Sequence, residues 1–527
     1  MDFLSKVKQI FKKTSLDDDL RSQIENILSG QAKLPAFRAL HHTMREIEKR
    51  DVLASFFRPP FYHWKSLLGK EEREQLAVRC RVLSNHTDAL TSLDHIRIYG
   101  LLLRLQGPVE AEVQAFNEVI ESLDSIETLD DELLNELLII LVAESKFPRV
   151  RQYVLKALER TTINSQLREL YCDLYFQSIY NSIASHVFKD TFDDTHRKLL
   201  SDALELCEMY LGATSPHLNH YRAIIECTEK RHEESVRWLC RPDSKEGYFS
   251  QFFRAGFNVK TPEDMRAFAE APVGETEHLK INMRHTGARD CTLVSCNKVY
   301  YSMYFKNFAE SFAIKNPKGT LHLHAINFEV DEDALQTIED EFGIYINFTE
   351  DSTDLDVLNP DIMKGYCAGA RYMYVPQYLD IYDEILITDI DGVLKLSHQD
   401  VWSGREGRIL LSTLILDPAR AANFVFWSNI GAGATGIPAT KEGRLFAKIF
   451  SHYLFTRFVE CQKRGERFFF SDQVGLLLSL MFMNFDSEVF MKMPQLFAQP
   501  AADRVVNRGR AKKDAQSKLL EGMREAE

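Results

Sequence analysis

The stretch Tyr382-Asp-Glu-Ile-Leu-Ile-Thr-Asp-Ile-Asp-Gly392 decides how the second half of the chain is interpreted. Its centre, residues 384–388, is an apolar and β-branched run with the length of a buried strand. Two carboxylates, Asp389 and Asp391, follow directly. In open α/β sheets, ligands bind beyond the carboxyl ends of the strands. The stretch therefore predicts an α/β fold with a functional site at these two aspartates.

Strands and helices alternate around this stretch. The predicted strands are Cys291–Ser295, Thr320–Asn327, Ile344–Phe348 and Glu384–Thr388, and the predicted helices between them are Lys298–Ile314 and Asp331–Glu341. Alternation with short links predicts a mostly parallel, Rossmann-like sheet covered on both faces. His322 and His324 alternate on one of these strands, and we interpret both as structural.

The first part of the chain has a different composition. Only five of the 24 glycines precede residue 241, and apolar residues recur there at helical spacing. We predict an all-α array over 15–240, with a solenoid of helix pairs as one possibility. The chain then divides into a linker at 241–278, an α/β domain at 279–500 and a basic tail at 501–527.

Composition excludes several classes of protein. The 527 residues are 45% hydrophobic, contain nine cysteines and carry a formal net charge of −13. This argues against a disordered or disulfide-stapled chain, and against a generic nucleic-acid binder, which needs a basic face. No apolar run reaches the ~20 residues that a membrane span requires. We expect a cytoplasmic protein with reduced thiols.

Both ends of this acidic chain are basic. Residues 1–14 place apolar side chains on one helical stripe and lysines on the remaining face, and 501–527 carry seven lysines and arginines. This pattern is typical of attachment to an anionic membrane surface. The alternative is that the N-terminal stripe packs on protein and the basic tail is solvated. The first interpretation predicts peripheral binding to the inner face of the cell membrane.

The aspartate pair also predicts a metal. Carboxylates at i and i+2 that leave the end of a buried strand provide oxygen ligands, which suit Mg²⁺ or Mn²⁺. Such a cation can in turn hold a diphosphate. We therefore interpret Asp389 and Asp391 as metal ligands.

Residues 290–480 resemble a glycosyltransferase of the GT-A fold, nearest to the family that includes glycogenin and bacterial galactosyl- and glucosyltransferases. The likeness is carried by five segments in order, Leu293–Tyr301, Lys364–Tyr372, Tyr382–Asp391, Trp427–Gly433 and Phe468–Gln473. They resemble the first strand and loop that receive the nucleotide base, the helix before the metal strand, the DxD strand, the N-x-G loop and the late DQ motif. The resemblance departs at Gly392, where an apolar residue is more usual, and in lacking a histidine after His452 as a further metal ligand.

The resemblance implies a donor, a site and an acceptor. The donor would be a nucleotide-diphospho-sugar, with UDP as the nucleotide, and the acceptor a protein or glycan that the helical domain selects. Residues implied to contact the donor are Ser295, Asn297, Tyr300, Lys364, Arg371, Asn429, Gly431, Ala432 and Gly433. Asp472 and Gln473 would act at the reacting centre, where Asp472 orients a hydroxyl or takes the acceptor proton.

Two other functions fit parts of the same pattern. In a haloacid-dehalogenase-type phosphatase, Asp389 would attack phosphorus and Asp391 would be the general acid. Against this, Gln473 follows Asp472 where a second acidic residue is usual, and the strands at 291–348 would have no role. A helical interaction protein with a degenerate transferase domain is the non-catalytic alternative.

Overall fold

The structure is a computed structural model, and the residues that it describes contain ten strands. It describes residues 15–31, 33–50, 64, 68–84, 90–107, 109, 114, 116–118, 120, 129–160, 163–245, 259–272, 276–355, 360–417, 419–422, 424, 429–465, 468, 470–498 and 508–526. The basic segment 1–14 lies outside these residues, as do 246–258 and 273–275 of the predicted linker. None of the helices in the described ranges has both the length and the apolar character needed to cross a bilayer.

The chain forms two compact units that meet in sequence at Ile179 and Tyr180. The first unit is helical, and its core includes Trp64, Leu76 and Leu101. Its described helices are Ser15–Asn26, Leu34–Arg50, Lys70–Ser84, Ser92–Gln106, Asp131–Ala143, Phe147–Leu158 and the first part of Ser165–Ile183.

The boundary between the units differs from the predicted one at residue 240. Three helices before that point, Asp194–Leu211, Leu218–Thr228 and His232–Cys240, belong to the second unit. They are tied to it by polar contacts such as the one between His220 Nε2 and the carbonyl of Phe424, at 3.2 Å. Scarce glycine therefore marks helix content in this chain, and does not mark the edge of a packing unit.

The second unit is built on an eight-stranded sheet with the order β1-β4-β3-β2-β5-β8-β7-β9. The strands are β1 Leu279–Asn282, β2 Asp290–Asn297, β3 Thr320–Ile326, β4 Tyr345–Asp351, β5 Glu384–Thr388, β6 Val393–Leu394, β7 Ile409–Thr413, β8 Ile430–Pro438, β9 Phe490–Lys492 and β10 Phe497–Ala498. β6 and β10 form a separate antiparallel pair.

The sheet is mixed. Strands β4, β3, β2 and β5 are mutually parallel, as predicted, and β7 is parallel to β9. β1 and β8 run antiparallel to their neighbours. The expectation of a mostly parallel sheet is therefore right for the centre and wrong at β1 and β8.

Helices cover the sheet and connect its strands. Those from residue 262 onward, short turns aside, are Pro262–Glu270, Lys306–Lys315, Glu332–Phe342, Pro360–Met373, Lys441–Arg464, Ser471–Phe482 and Arg508–Ala526. A short helix at Lys298–Tyr300 and a π-helical turn at Tyr301–Phe305 precede the second of these.

The predicted basic tail is in part an integral helix of the second unit. Within Arg508–Ala526, Gln516 and Leu520 are buried, whereas Lys513 and Lys518 are exposed. Because its buried side packs on the protein, that side is not available to a membrane. The prediction of a separate tail at 501–527 is therefore wrong for this helix.

Candidate functional site

The aspartate pair lies at the carboxyl end of β5, as the sequence predicts. β5 is buried between the parallel strand β2 and the antiparallel strand β8, because its apolar residues Ile385, Leu386 and Ile387 leave no polar face. The Asp389 amide donates to the carbonyl of Gly433 at 3.2 Å. The Asp389 side chain is 28% exposed, whereas Asp391 is buried.

Arg371 comes from the helix Pro360–Met373 and holds the end of β5. Its guanidinium donates to the carbonyl of Thr388 at 2.5 Å and to that of Ala432 at 3.1 Å, and it pairs with Asp389 at 2.6 Å. Burial disfavours this cation, but the charge of Asp389 outweighs it and raises the pKa of Arg371. Arg371 therefore orients Asp389 and ties β5 to β8.

The Gly431–Gly433 segment is a strand and not the loop that the sequence suggested. It begins β8, and Ala432 offers its carbonyl to both Arg371 and the Tyr372 hydroxyl, the latter at 2.6 Å. A β-bulge between Leu411 and Ser412 interrupts the pairing of β7 with β8 beside this segment. Such bulges re-aim side chains next to functional sites.

Asp472 approaches the same place from the start of the helix Ser471–Phe482. The residue that precedes this helix, Phe470, has a left-handed backbone with φ 63°, which a bulky residue rarely adopts. Burial raises the pKa of Asp472, and the charge of Asp389 adds to the rise, against Arg371 and the Gln473 amide. A carboxyl with a raised pKa in a cleft is a candidate general base.

These groups line one cavity of about 640 Å³. That volume lies within the range of small-molecule sites. Its wall consists of Gly365, Ala368, Arg371, Asp389, Ser412, Gly431, Ala432, Gly433, Ala434, Phe468, Phe470, Asp472, Gln473, Met493, Pro494, Gln495 and Leu496. Seven of the residues predicted from the sequence are among them, and they come from four separate segments of the chain.

Other predicted donor contacts have structural partners. Ser295 donates to the carbonyl of Cys367 at 2.7 Å, and the Asn297 side chain caps the short helix Lys298–Tyr300 by accepting from the Tyr300 amide at 3.1 Å. Lys364 is exposed one turn before Ala368, outside the cavity wall. Asn429 is buried, and its carbonyl accepts from Thr413 Oγ1 at 2.7 Å.

Tyr300 differs from these residues because its side chain is 43% exposed. Burial of part of the ring raises its pKa, and the charges of Asp391 and Asp389 contribute. The ring packs against Tyr304 with centroids 5.2 Å apart. Tyr300 is thus an exposed aromatic surface close to the aspartate pair.

Sequence reasoning missed part of the cavity wall. Ser412, Met493 and Gln495 line it, yet none belongs to a segment that the sequence pattern singles out. The aromatic run at 468–470 is visible in the sequence. Nothing in the sequence indicates that the backbone of Phe470 is left-handed. Ser412 enters only through the pairing of β7 with β8, which places it opposite Gly431.

Asp389 and Asp391 offer carboxylate oxygens, the type of ligand that a hard divalent cation prefers. Asp389 and Asp472 line the cavity beside Arg371, whereas Asp391 is buried and is not among the lining residues. No cluster of three or more histidine, cysteine, aspartate or glutamate side chains suited to a metal occurs in the described ranges. Two carboxylates suffice for Mg²⁺, which commonly completes its shell with water and substrate phosphates.

A second polar cluster lies on the same sheet and is closed to solvent. We call it the sealed cluster, and it comprises His322, His324, Asp351, Tyr366, Tyr374, Tyr378 and Tyr382. Both histidines use both ring nitrogens, His322 with Tyr382 and Thr349, and His324 with Tyr378 and Asp351. The interpretation of the two histidines as structural agrees with these contacts.

Comparisons with known proteins give only distant likenesses. No protein-family model matches the chain, and no curated protein sequence matches it. Among solved structures, two of the glycosyltransferase GlyE of Streptococcus pneumoniae TIGR4 match 40% of this chain at 15% and 14% identity, with TM-scores of 0.26. Mouse xyloside xylosyltransferase 1 matches 39% of it at 14% identity, with a TM-score of 0.24.

The matched region spans 46% of each GlyE chain and 85% of the mouse chain. Less than half of the GlyE length is therefore shared. With TM-scores near 0.25, no fold or activity is inferred from these matches.

Proposed function

We propose that the chain is a cation-dependent glycosyltransferase of GT-A type. It transfers a sugar from a nucleotide-diphospho-sugar, with UDP as the first nucleotide to test, to a protein or glycan acceptor. The observation that carries the proposal is the cavity at the end of β5, where Asp389, Arg371 and Asp472 meet the glycine-containing start of β8. The resemblance of the five sequence motifs supports it.

Asp389 and Asp391 would hold Mn²⁺ or Mg²⁺ together with the donor diphosphate. When bound, this cation offsets the charge that develops on the departing nucleoside diphosphate. Arg371 keeps Asp389 in place through its 2.6 Å ion pair. With its guanidinium engaged by Thr388, Ala432 and Asp389, Arg371 serves as a positioning residue rather than as the phosphate ligand that the sequence suggested.

Asp472, Gln473 and two glycines of β8 would contact the sugar and the acceptor. The raised pKa of Asp472 suits a group that takes a proton from an acceptor hydroxyl. Gln473 lines the same wall and can bind a sugar hydroxyl through its amide. Gly431 and Gly433 have no side chains, so a sugar ring can lie close to the backbone of β8 at these two positions.

The helical first unit is proposed to select or present the acceptor. Tyr300, exposed near the aspartates, is proposed to pack against the nucleotide base. The protein is proposed to act in the cytoplasm, with residues 1–14 as a peripheral attachment to an anionic membrane face. Loss of vesicle binding in a flotation assay on deleting 1–14 tests the attachment, and unchanged flotation contradicts it.

The activity is tested by nucleotide release. The full chain is incubated with a panel of nucleotide-sugars and Mn²⁺, and free nucleoside diphosphate is measured. We expect slow hydrolysis of one donor, reduced at least about a hundredfold in Asp391→Asn. Asp383→Asn is the matched control, since Asp383 precedes the same strand but is exposed and pairs with Arg289.

The same assay separates the alternatives. Hydrolysis of an aryl phosphate that is lost in Asp389→Asn, with no nucleotide-sugar turnover, would favour the phosphatase. The ion pair of Asp389 with Arg371 gives a nucleophilic role no support. Absence of both activities, with no thermal shift by any nucleotide-sugar, would favour the non-catalytic interaction protein.

A further inference from the structure

We propose that Gln516 is a positioning residue that holds the loop around Asp391 in the shape required for cation binding. This proposal rests on the proposed function, because it assigns to the helix Arg508–Ala526 a part in the same site. The helix thereby becomes a component of the donor site, although it follows the aspartate pair by more than a hundred residues.

Gln516 clamps the peptide on both sides of Asp391. Its Nε2 donates to the carbonyl of Ile390 at 3.2 Å and to that of Gly392 at 2.9 Å. A backbone carbonyl only accepts, so these two contacts fix which end of the amide faces the loop. Two N–H groups thus serve two carbonyls, with Asp391 between them.

The clamp is buried. Gln516, Ile390 and Gly392 all lie inside the protein. A buried carbonyl that loses its donor costs about 1–3 kcal/mol, so the loop carbonyls are held where the amide reaches them.

The side chain is poorly explained by packing alone. Its Oε1 accepts no hydrogen bond from the residues that the structure describes. A buried polar oxygen without a donor is costly, so a position that served packing alone would be better filled by methionine or leucine. The two bonds to the loop are what distinguishes glutamine here.

The helix is itself anchored to a rigid element. Ser517 accepts from Asn307 Nδ2 at 3.1 Å, Arg524 pairs with Glu310 at 2.5 Å, and Leu520 is buried. Asn307 and Glu310 lie on the helix Lys306–Lys315, whose Ser311 accepts from the Leu394 amide at 3.4 Å. The loop after β5 is therefore braced from two sides.

The position of the loop after β5 should affect cation affinity, because small hard cations tolerate little distortion of their ligand geometry. Mg²⁺ demands near-octahedral geometry, and groups that orient its ligands typically change affinity ten- to a hundredfold when mutated. Asp389 is already oriented by Arg371. Gln516 supplies the corresponding restraint for the loop that carries Asp391.

The test uses Mn²⁺ and the full chain. Gln516→Met keeps the length of the side chain and removes both hydrogen bonds, and Gln516→Glu keeps its shape but sets a carboxylate against two carbonyls. Lys518→Gln, on the exposed side of the same helix, is the control. The dissociation constant for Mn²⁺ is measured by calorimetry, and hydrogen exchange is followed in a peptide that covers residues 389–396.

We expect the Mn²⁺ dissociation constant to rise roughly ten- to a hundredfold in Gln516→Met and at least as much in Gln516→Glu. The 389–396 peptide should exchange faster in both variants without Mn²⁺, while Lys518→Gln should match the wild type in both measurements. Donor KM should rise more than kcat falls.

Wild-type Mn²⁺ affinity in Gln516→Met, or unchanged exchange of the 389–396 peptide, would overturn the positioning role while leaving the proposed function intact. A wild-type chain that binds no Mn²⁺ and turns over no nucleotide-sugar would overturn the proposed function and the cation role of Gln516 together. Thermal unfolding of each variant shows whether it is folded, and a variant that fails to fold is replaced by Gln516→Leu.

Discussion

Two buried polar clusters lie on the same sheet, and a cavity reaches one of them but not the other. In the sealed cluster, Asp351 accepts from His324, Thr353 and Tyr366. In the open cluster, which we define as Arg371, Asp389, Asp391 and Asp472, three of the four groups line a cavity of about 640 Å³. Bonds made entirely within the protein indicate a structural role, whereas polar groups that face a cavity are available for chemistry.

The pKa shifts of the aspartates in the two clusters also differ. Burial disfavours the charge on Asp351, but bonds from His324, Thr353 and Tyr366 outweigh it and lower the pKa of Asp351 to about 2. Burial of Asp472 is not outweighed, and its pKa is raised. The neighbours of Asp351 thus stabilise its charged form, whereas the surroundings of Asp472 disfavour its charged form.

The largest effect is expected at Arg371. Arg371→Met leaves Asp389 without its cation and removes two bonds to backbone carbonyls, so we expect about 3 kcal/mol of lost stability and at least a hundredfold loss of donor turnover. Urea unfolding and nucleotide release measure the two. Arg289→Met breaks an exposed ion pair with Asp383 and should cost under about 1 kcal/mol. Equal losses of unfolding free energy in the two variants would contradict the proposed role of Arg371 in holding Asp389.

Exchanging aspartate for asparagine in each cluster separates stability from function. Asp351→Asn sets an amide against three donors in a closed interior, and we expect about 3 kcal/mol of lost stability. Asp391→Asn should unfold at the wild-type denaturant concentration and lose Mn²⁺ affinity and turnover. If Asp391→Asn is the less stable of the two, the distinction between the clusters fails.

Acid should weaken the second unit through its buried histidines. Burial lowers the pKa of His322 to about 3, whereas an unfolded histidine titrates near 6.5. The unfolded state therefore binds protons first, and this contribution to stability falls as the pH drops from 6.5 toward 3. When the pH is lowered from 7 to 5, the free energy of unfolding should fall by about 2 kcal/mol less in His322→Gln than in the wild type, as measured by urea titration. Parallel pH curves for the two proteins would contradict it.

The smallest effect is expected at the contact between Gly365 and Phe468, which both line the cavity. A Cβ at Gly365 would lie 2.8 Å from Phe468 Cδ1, whereas one at Gly369 would lie 3.4 Å from Phe468 Cε1. We expect Gly365→Ala to cost about 1–2 kcal/mol and to raise donor KM severalfold. Gly369→Ala, on the same helix face, should be neutral or stabilising because alanine favours helix. Thermal unfolding and donor kinetics of the pair decide it.

The sequence predicts the centre of the sheet because hydrophobic pattern alone defines those strands. β2, β3, β4 and β5 occur within a few residues of the predicted bounds, and Asp389, Arg371 and Asp472 meet at one edge. The resemblance predicts a loop over Trp427–Gly433, whereas the end of that segment begins β8, whose strand propensity is lowered by Gly431, Gly433 and Gly436. Its assignment depends on pairing with β5 and β7, which are distant in sequence.

The remaining errors have a common cause. The boundary at Ile179 and the docking of Gln516 against the Asp391 loop both depend on which buried surfaces meet, and local spacing does not encode that. The resemblance implies that Arg371 contacts the donor, but the sequence does not show that two backbone carbonyls and Asp389 already bind its guanidinium.

The contact of Gly365 with Phe468 carries a consequence for how related chains can vary. Because the ring occupies the space that a side chain at 365 would need, these two positions share one volume. A related chain with a larger residue at 365 is expected to carry a smaller one at 468, with the cavity width preserved. A Gly365→Ala, Phe468→Leu double variant should accordingly be more stable than the sum of the two single changes.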